Sequence, residues 1–333
     1  HPFYGCSKLA TINVTDLKAY CSINNLEYLT DSKYGTASVK TLMVNGVIHS
    51  STSELVIPEE VTWIPTDAFR FFSNVTKIRF PKSMEKISSC NFMDHTYLTE
   101  ITVPSTISSV EHNAFSGCTA LKTVTLNNNG NIGNGAFKFC TSLKTAILNN
   151  NGNIGGSAFS GCSALQTVTL NNNGNIEGDA FGACTALETV TLNNNGIIDY
   201  YAFINCYALT HVNIGSGVTG VSAYKYESYD CHPFYGCSKL ATINVTDLKA
   251  YCSINNLKYL TDSEYGTAQN KTLMVNGTVH NSKNELDIPE GVTSIKDYAF
   301  YGFTNLTKIK LPSTITSIGI CAFNGSTNLE RIV

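Results

Sequence analysis

A repeating step of 22 residues, a strand-like stretch inside each step and a longer duplication laid over both predict an α/β solenoid. Leu121, Leu143, Leu165, Leu187 and Leu209 are each 22 residues apart, and Phe137, Phe159, Phe181 and Phe203 keep that step, as do Cys118, Cys140, Cys162, Cys184 and Cys206. A fixed period in the twenties marks stacked supersecondary units, none of which can bury its own apolar face alone. Residues 1–102 also align without gaps on 232–333, and the first 26 positions are identical in the two copies. The expected organisation is one solenoid over residues 1–333, of about 12–13 coils of 22–23 residues each.

The unit is clearest in residues 98–120, LTEITVPSTISSVEHNAFSGCTA. Leu98, Ile101 and Val103 define a short strand with its apolar side inward. Pro104 stops the strand, because it has no N–H for a ladder. Ile107 and Val110 turn the chain back to the core. Ala114, Phe115 and Cys118 then sit at one-turn spacing, as on a short helical or 3₁₀ segment on the outer side. The template places strands near residues 12–14, 55–57, 78–80, 101–103, 124–126, 146–148, 168–170, 190–192, 212–214, 243–245, 286–288 and 309–311. In four central coils an NNNG turn replaces the P-x-x-(I/V) turn. There Asn127, Asn149, Asn171 and Asn193 are expected to stack as an amide ladder, with Gly130, Gly152, Gly174 and Gly196 supplying a positive-φ turn.

The duplicated block carries an insert in each copy, at about 15–54 and 246–285. Its first half, TDLKAYCSINNL, opens with residues suited to a helix N-terminus. Its second half holds two β-rich runs around Asn-Gly, a hairpin signal. Each insert is expected to be a small helix plus hairpin leaning on the solenoid. Between the copies Glu27 and Lys33 become Lys258 and Glu264. Two readings stay open: independent surface drift, or an ion pair whose sign is immaterial. A longer loop, SAYKYESYDCH, spaces Tyr224, Tyr226 and Tyr229 between polar residues. It reads either as an edge strand or as a contact loop, since tyrosine offers large amphipathic contact area.

Twelve cysteines suggest disulfides, but the position four after the Ala of each AF pair also holds Phe72, His95, Phe303 and Ser326. A slot that accepts Phe is a packing slot. Side chains on strands about 4.8 Å apart are also too far apart for a disulfide, so buried free thiols are expected. Cys21, Cys231 and Cys252 lie outside the slot and their redox state is left open. Net charge is −3 and only 14% of residues are charged, which gives no electrostatic case for nucleic acid or an anionic membrane. No apolar run is long enough to span a membrane. No C-x-x-C or spaced His/Cys motif is present, and the Asn turns lack carboxylates, so no metal and no cofactor are expected. The chain starts and stops inside repeats, as expected for a piece of a longer protein.

The template L-x-x-I-x-(I/V/L)-P-x-x-(I/V)-x-x-(I/V)-x-x-x-A-F-x-x-C, with the DLKAYC and LMVNG stretches of the inserts, resembles the leucine-rich repeats of BspA-like bacterial surface proteins. The resemblance covers essentially the whole chain. It implies a right-handed leucine-rich repeat with a parallel concave β-sheet, exposed at the cell surface or secreted. It also implies adhesion to a host or neighbouring-cell surface protein, a matrix protein or a glycan. It supplies no fixed site residues. From the residues themselves, the outward strand positions of the central coils form uncharged rows. Thr123, Thr125, Thr167, Thr169, Thr189 and Thr191, with Tyr224, Tyr226 and Tyr229, are therefore the candidate contact residues. The expectation is a non-catalytic extracellular interaction module. The alternative is a stalk that presents another domain of a larger surface protein.

Overall fold

The apolar alternation of each coil does produce a strand. The computed structural model describes residues 3–30, 36–37, 40–48, 54–70, 72, 74–226, 229–280 and 285–333. The chain forms two units, His1–Leu165 and Gln166–Val333. In the first, strands run at Thr11–Val14, Leu55–Val56, Ile78–Arg79, Glu100–Val103, Thr123–Leu126 and Thr145–Leu148. In the second they run at Thr167–Leu170, Thr189–Leu192, His211–Ile214, Thr242–Val245, Leu286–Asp287 and Lys308–Lys310. All twelve expected positions are occupied.

Pairing is parallel and in register. Thr123 faces Glu100 on one side and Thr145 on the other in the first unit. In the second, Thr189 faces Thr167 and His211, and His211 faces Thr242. A one-residue slip would turn Val124, Leu126, Val190 and Leu192, all buried, out to water. A narrower second ladder backs the first. It joins Lys86–Ile87 to Ser109–Val110 in one unit and Ile197–Ile198 to Gly220–Val221 in the other. Each unit is therefore a β-solenoid with its apolar residues inside.

Between the ladders lies a column of rings. Phe115 stacks on Phe92 at 5.4 Å and on Phe137 at 5.1 Å, and Phe137 on Phe159 at 5.1 Å. In the second unit Phe203 stacks on Phe181 and on Phe234, both at 5.3 Å. Every ring in this list is fully buried. The segment carrying each Phe closes as turns, not as the helical segment that one-turn spacing suggests. The reason is a pair of left-handed residues, two before and two after the Phe. They are Gly135 and Phe139 around Phe137, Asp179 and Ala183 around Phe181, and Tyr201 and Asn205 around Phe203. A helix cannot pass through such a residue. Helix among the described residues is confined to the inserts.

The cysteine slot does more than pack. The thiols of Cys118, Cys140 and Cys162 donate to the carbonyls of Phe92, Phe115 and Phe137, each at 3.3 Å. Cys206 and Cys237 donate to Phe181 and Phe203 at 3.2 Å. Ser326 and His95 keep the bond in the same slot: Ser326 Oγ donates to the Phe300 carbonyl at 2.8 Å, and His95 Nε2 contacts that of Phe69, while Phe72 and Phe303 fill the slot by packing alone. All twelve cysteines are free thiols. Burial pushes Cys21 and Cys252 up to about 12, which keeps both in the unreactive thiol form.

The asparagine turns form the expected ladder. Asn149 donates to Asn127 at 2.9 Å in the first unit, and Asn193 to Asn171 at 2.9 Å in the second. A second rung follows, from Asn151 to Asn129 at 3.0 Å. The buried Asn128 and Asn150 turn inward and donate to the Gly130 and Gly152 carbonyls, both at 2.8 Å. The glycines depart from expectation. Gly130, Gly152, Gly174 and Gly196 do not have positive φ. Space explains three of them. A Cβ at Gly130 would collide with the Ser108 carbonyl oxygen, one at Gly152 with Asn131 Oδ1, and one at Gly196 would stand 2.5 Å from Asn175 Oδ1.

The inserts also differ from expectation. Each has the helix, capped by Asp16 at Leu17–Cys21 and by Asp247 at Leu248–Tyr251. Asp247 accepts from the Ala250 amide at 2.9 Å. The hairpin does not lean on the solenoid, because its first strand is a coil strand. Thr41–Val44 pairs in parallel with Thr11–Val14, and Thr272–Val275 with Thr242–Val245. Leu42 and Leu273, both fully buried, explain this. The helix supplies the core ring: Tyr251 meets Phe300 at 5.9 Å and its hydroxyl donates to the Ala299 carbonyl at 2.7 Å. Asn305 then bonds both the N–H and the C=O of Leu273, at 2.8 and 2.9 Å, in place of a further strand. Asn74 does the same to Leu42.

Two predictions follow from the columns. Phe159→Ala removes a fully buried ring and should destabilise by about 3–5 kcal/mol in chemical denaturation. Phe323→Ala, at a half-buried ring, should cost clearly less; equal losses would contradict a linear stack. His95 gives a pH test. Burial drives its pKa from 6.5 down to about 4, so the unfolded chain takes up a proton that the folded chain refuses between those values. Stability should be complete above pH 6.5 and fall by on the order of 3 kcal/mol as the pH drops to about 4. His95→Cys, which restores the usual slot residue, should abolish this dependence in urea titrations at each pH. An unchanged acid limb would remove His95 as its source.

Candidate functional site

The outward strand positions form two rows on the solvent face of each sheet. Thr123 lies beside Thr145, and Thr125 beside Ile147 and Thr102. In the second unit one row runs Thr167, Thr189, His211, Thr242, and the other Thr169, Thr191, Asn213, Asn244. Thr123 and Thr167 are exposed; Thr125, Thr169, Thr189 and Thr191 are half-buried between their neighbours. The second row is bonded from Thr191 onward. Asn213 Nδ2 donates to Thr191 Oγ1 at 3.1 Å, Asn244 Nδ2 to Asn213 Oδ1 at 3.0 Å, and the Gly277 amide to Asn244 Oδ1 at 3.0 Å. This face therefore presents preset amides and hydroxyls instead of mobile charges.

The first unit adds a charged border that the threonine pattern did not announce. A cleft of about 310 Å³ lies beside Thr102, Thr123 and Thr125. Its walls carry Lys77 paired with Glu100 at 2.9 Å, and Arg79 paired with Glu54 at 3.5 Å. Hydrogen bonding and charge from Glu100 raise the Lys77 pKa above the usual lysine range. Both pairs stand largely in water, so they shape the cleft more than they stabilise the fold.

The tyrosine loop is a hairpin. Tyr224–Tyr226 pairs antiparallel with Tyr229–Cys231, so its alternation is that of a strand. The side chains of Tyr226 and Tyr229 lie outside the described residues. Tyr224 does not join the threonine rows. Its ring meets Tyr200 at 5.8 Å, and Tyr200 meets Tyr201 at 6.1 Å. Tyr201 reaches Tyr235 at 6.4 Å, Tyr235 reaches His232 at 5.3 Å, and His232 lies within 5.9 Å of both Tyr259 and Tyr265. Sequence reading missed this aromatic ledge because its members belong to separate coils and an insert. The available signal was position: Tyr201 and Tyr298 both fill the left-handed site two residues before a buried Phe, where side chains leave the core.

In the second insert the exchanged lysine meets aromatic rings. Lys258 holds its ammonium over the rings of Tyr259 and Tyr265, at 4.6 and 5.6 Å from their centroids. The Glu27 side chain and Lys33 lie outside the described residues. No group of three or more His, Cys, Asp or Glu among the described residues could hold a metal ion. No helix among them is long and apolar enough to cross a membrane.

Repeating coils of this pattern define a class, the leucine-rich repeat solenoids. The BspA type leucine rich repeat region matches in six copies over residues 47–165, 127–232 and 279–333, more than half of the chain, and the protein belongs to this family. No curated protein matches it. Similar solved structures include a leucine-rich repeat protein from Bacteroides ovatus, at 24% identity over 86% of this chain and 78% of that one, with a TM-score of 0.34. Another is the T. pallidum leucine rich repeat protein, at 24% identity over 48% of this chain and 79% of that one, with a TM-score of 0.43. A leucine rich cell surface protein from Faecalibacterium prausnitzii is 22% identical over 84% and 86%, with a TM-score of 0.36.

Lys258→Glu gives the second insert the residue of the first and should cost about 0.5–1 kcal/mol, the worth of a partly exposed cation–π contact. Adding Glu264→Lys should recover none of it. Recovery in the double variant, measured by chemical denaturation, would reinstate the ion pair.

Proposed function

We propose that this chain is an extracellular interaction module that binds a macromolecule on the solvent face of its sheet and inserts, without catalysis. The observation that carries the reading is the row Thr169, Thr191, Asn213, Asn244, held in register over successive coils and already hydrogen-bonded from Thr191 to Asn244. Such a face loses little side-chain freedom when a partner settles on it, so more of the contact energy is retained as affinity. Polar, uncharged groups favour a protein or glycan surface over a polyanion. The family and a neighbour described as a cell surface protein support display outside the cell. The stalk reading keeps one observation of its own: the asparagine ladders bond coil to coil and stiffen the turns.

A binding array of matrix proteins and glycans, probed with the purified chain and with a Thr167→Lys, Thr169→Lys, Thr189→Lys, Thr191→Lys variant, separates the two. An interaction module should retain at least one partner and lose it by tenfold or more in the variant. A folded chain that retains nothing is a stalk.

A further inference from the structure

The aromatic ledge of the second unit has no role in the fold that would account for its exposure. The rings that build the core are fully buried phenylalanines, whereas Tyr224 is 56% exposed, Tyr235 51% and Tyr200 39%. The rings are held firmly all the same. The outer end of Tyr200 lies over Gly178, where any Cβ would come within 2.9 Å of ring carbons, so this neighbour leaves room for the ring. Tyr200 and Tyr201 stand on a turn fixed by the left-handed backbone of Tyr201. Neighbouring rings are inclined at 44°, 67° and 66° along the series Tyr224, Tyr200, Tyr201, Tyr235, so they present faces and hydroxyls in several directions.

Charge narrows the occupant. Asp199, at the foot of the ledge, accepts from the Tyr200 amide at 2.8 Å and from the Ser222 hydroxyl. Lys258, at its other end, spends its ammonium on Tyr259 and Tyr265. A hydrogen bond with Cys231 pushes Tyr201 up to about 12, so its hydroxyl stays neutral. Among the described side chains, Tyr224, Tyr200 and Tyr235 offer ring faces edged by hydroxyls. Protein hot spots combine tyrosine with tryptophan and arginine in fully desolvated pockets, whereas the exposed ledge residues Tyr224, Tyr235 and Tyr200 are all tyrosines with their faces open to solvent. A sugar ring has the complementary chemistry: a flat C–H face that packs on an aromatic ring, and equatorial hydroxyls that meet phenolic oxygens.

We propose that the ledge is a binding site for a neutral glycan, whose sugar rings lie on Tyr224, Tyr200 and Tyr235. This rests on the reading of the chain as a binding module but moves the contact off the threonine rows. The test is retention of the full chain on immobilised mannan, xyloglucan and β-glucan, with heparin and a matrix-protein panel alongside. At least one neutral polysaccharide should retain it, equally well at low and high salt and from pH 6 to 8. Tyr224→Ala with Tyr235→Ala should weaken retention tenfold or more, while Tyr200→Phe, which keeps the ring, should lose less than Tyr200→Ala. The threonine-to-lysine variant should bind that neutral polysaccharide as the unaltered chain does, whatever other partner it loses, and circular dichroism melting should show the ledge variants folded. Retention on heparin alone, retention of a protein through the ledge, or neutral-glycan binding that survives the tyrosine changes overturns the proposal. Loss of that polysaccharide only in the threonine variant overturns it too and leaves the interaction-module reading standing. If the unaltered chain retains nothing, both fall.

Discussion

A coil of some 22 residues cannot bury its own apolar face, and this single deficit organises the molecule. Every inward group must find its partner in the next coil, at the same position, on the same side. That is why identical chemistry recurs in columns. Phe stacks on Phe, a slot donor reaches back to a Phe carbonyl, and the amide of one asparagine turn meets that of another. Each column solves a need that a globular core would meet with a different residue each time. The buried carbonyl of Phe137 has two lone pairs; the Cys140 amide reaches it at 3.4 Å and the Cys162 thiol at 3.3 Å. Ser326 does the same for Phe300, although serine is far more polar than cysteine. Phe72 and Phe303 fill the same slot without a donor, so the slot asks first for a buried side chain and uses a donor where one is present.

Columns explain how much was legible in advance. Strand positions could be read because alternation and period act together, and both are properties of a line of letters. The ladder of Asn127 and Asn149 was legible for the same reason. What escaped depends on direction and distance. One-turn spacing of Ala114, Phe115 and Cys118 is shared by a helix and by a pair of tight turns. Only the left-handed backbone at Asn113 and Gly117 decides between them, and Asn in that state leaves little trace in composition. The turn glycines carry the same lesson from the other side. At Gly130 the residue type was right and the reason was not. Crowding by the Ser108 carbonyl excludes a side chain there, while the backbone conformation is ordinary.

The inserts show how a solenoid absorbs extra length. Their helix and hairpin could be recognised locally, yet their place in the stack follows from two buried side chains that look unremarkable in sequence. Leu273 enters the core as any strand leucine would, and Tyr251 takes the place of the column ring. Once those sites are filled, Thr272–Val275 has no choice but to join the ladder. Its outer edge is then closed by the Thr278–Val279 strand and by the Asn305 side chain. Unpaired strand edges recruit other chains, so this closure also guards against edge-to-edge association.

The same logic locates function. A position inside a column answers to its neighbours above and below and cannot vary alone. A position that leaves the column is free. The left-handed site two residues before the buried Phe holds Asn113, Gly135, Asp179, Tyr201 and Tyr298 in different coils, a range no packed site would tolerate. The insert position that is Glu27 in one copy and Lys258 in the other is of this kind as well, although the segment before it is identical in both copies. Lysine there completes a cation–aromatic contact with Tyr259 and Tyr265, which glutamate cannot make because the ring face repels an anion. The two inserts therefore share a framework and differ in the chemistry they present. Where a stack leaves side chains unconstrained and tyrosines nonetheless gather, packing does not require them, which is the physical ground for placing the proposed contact there.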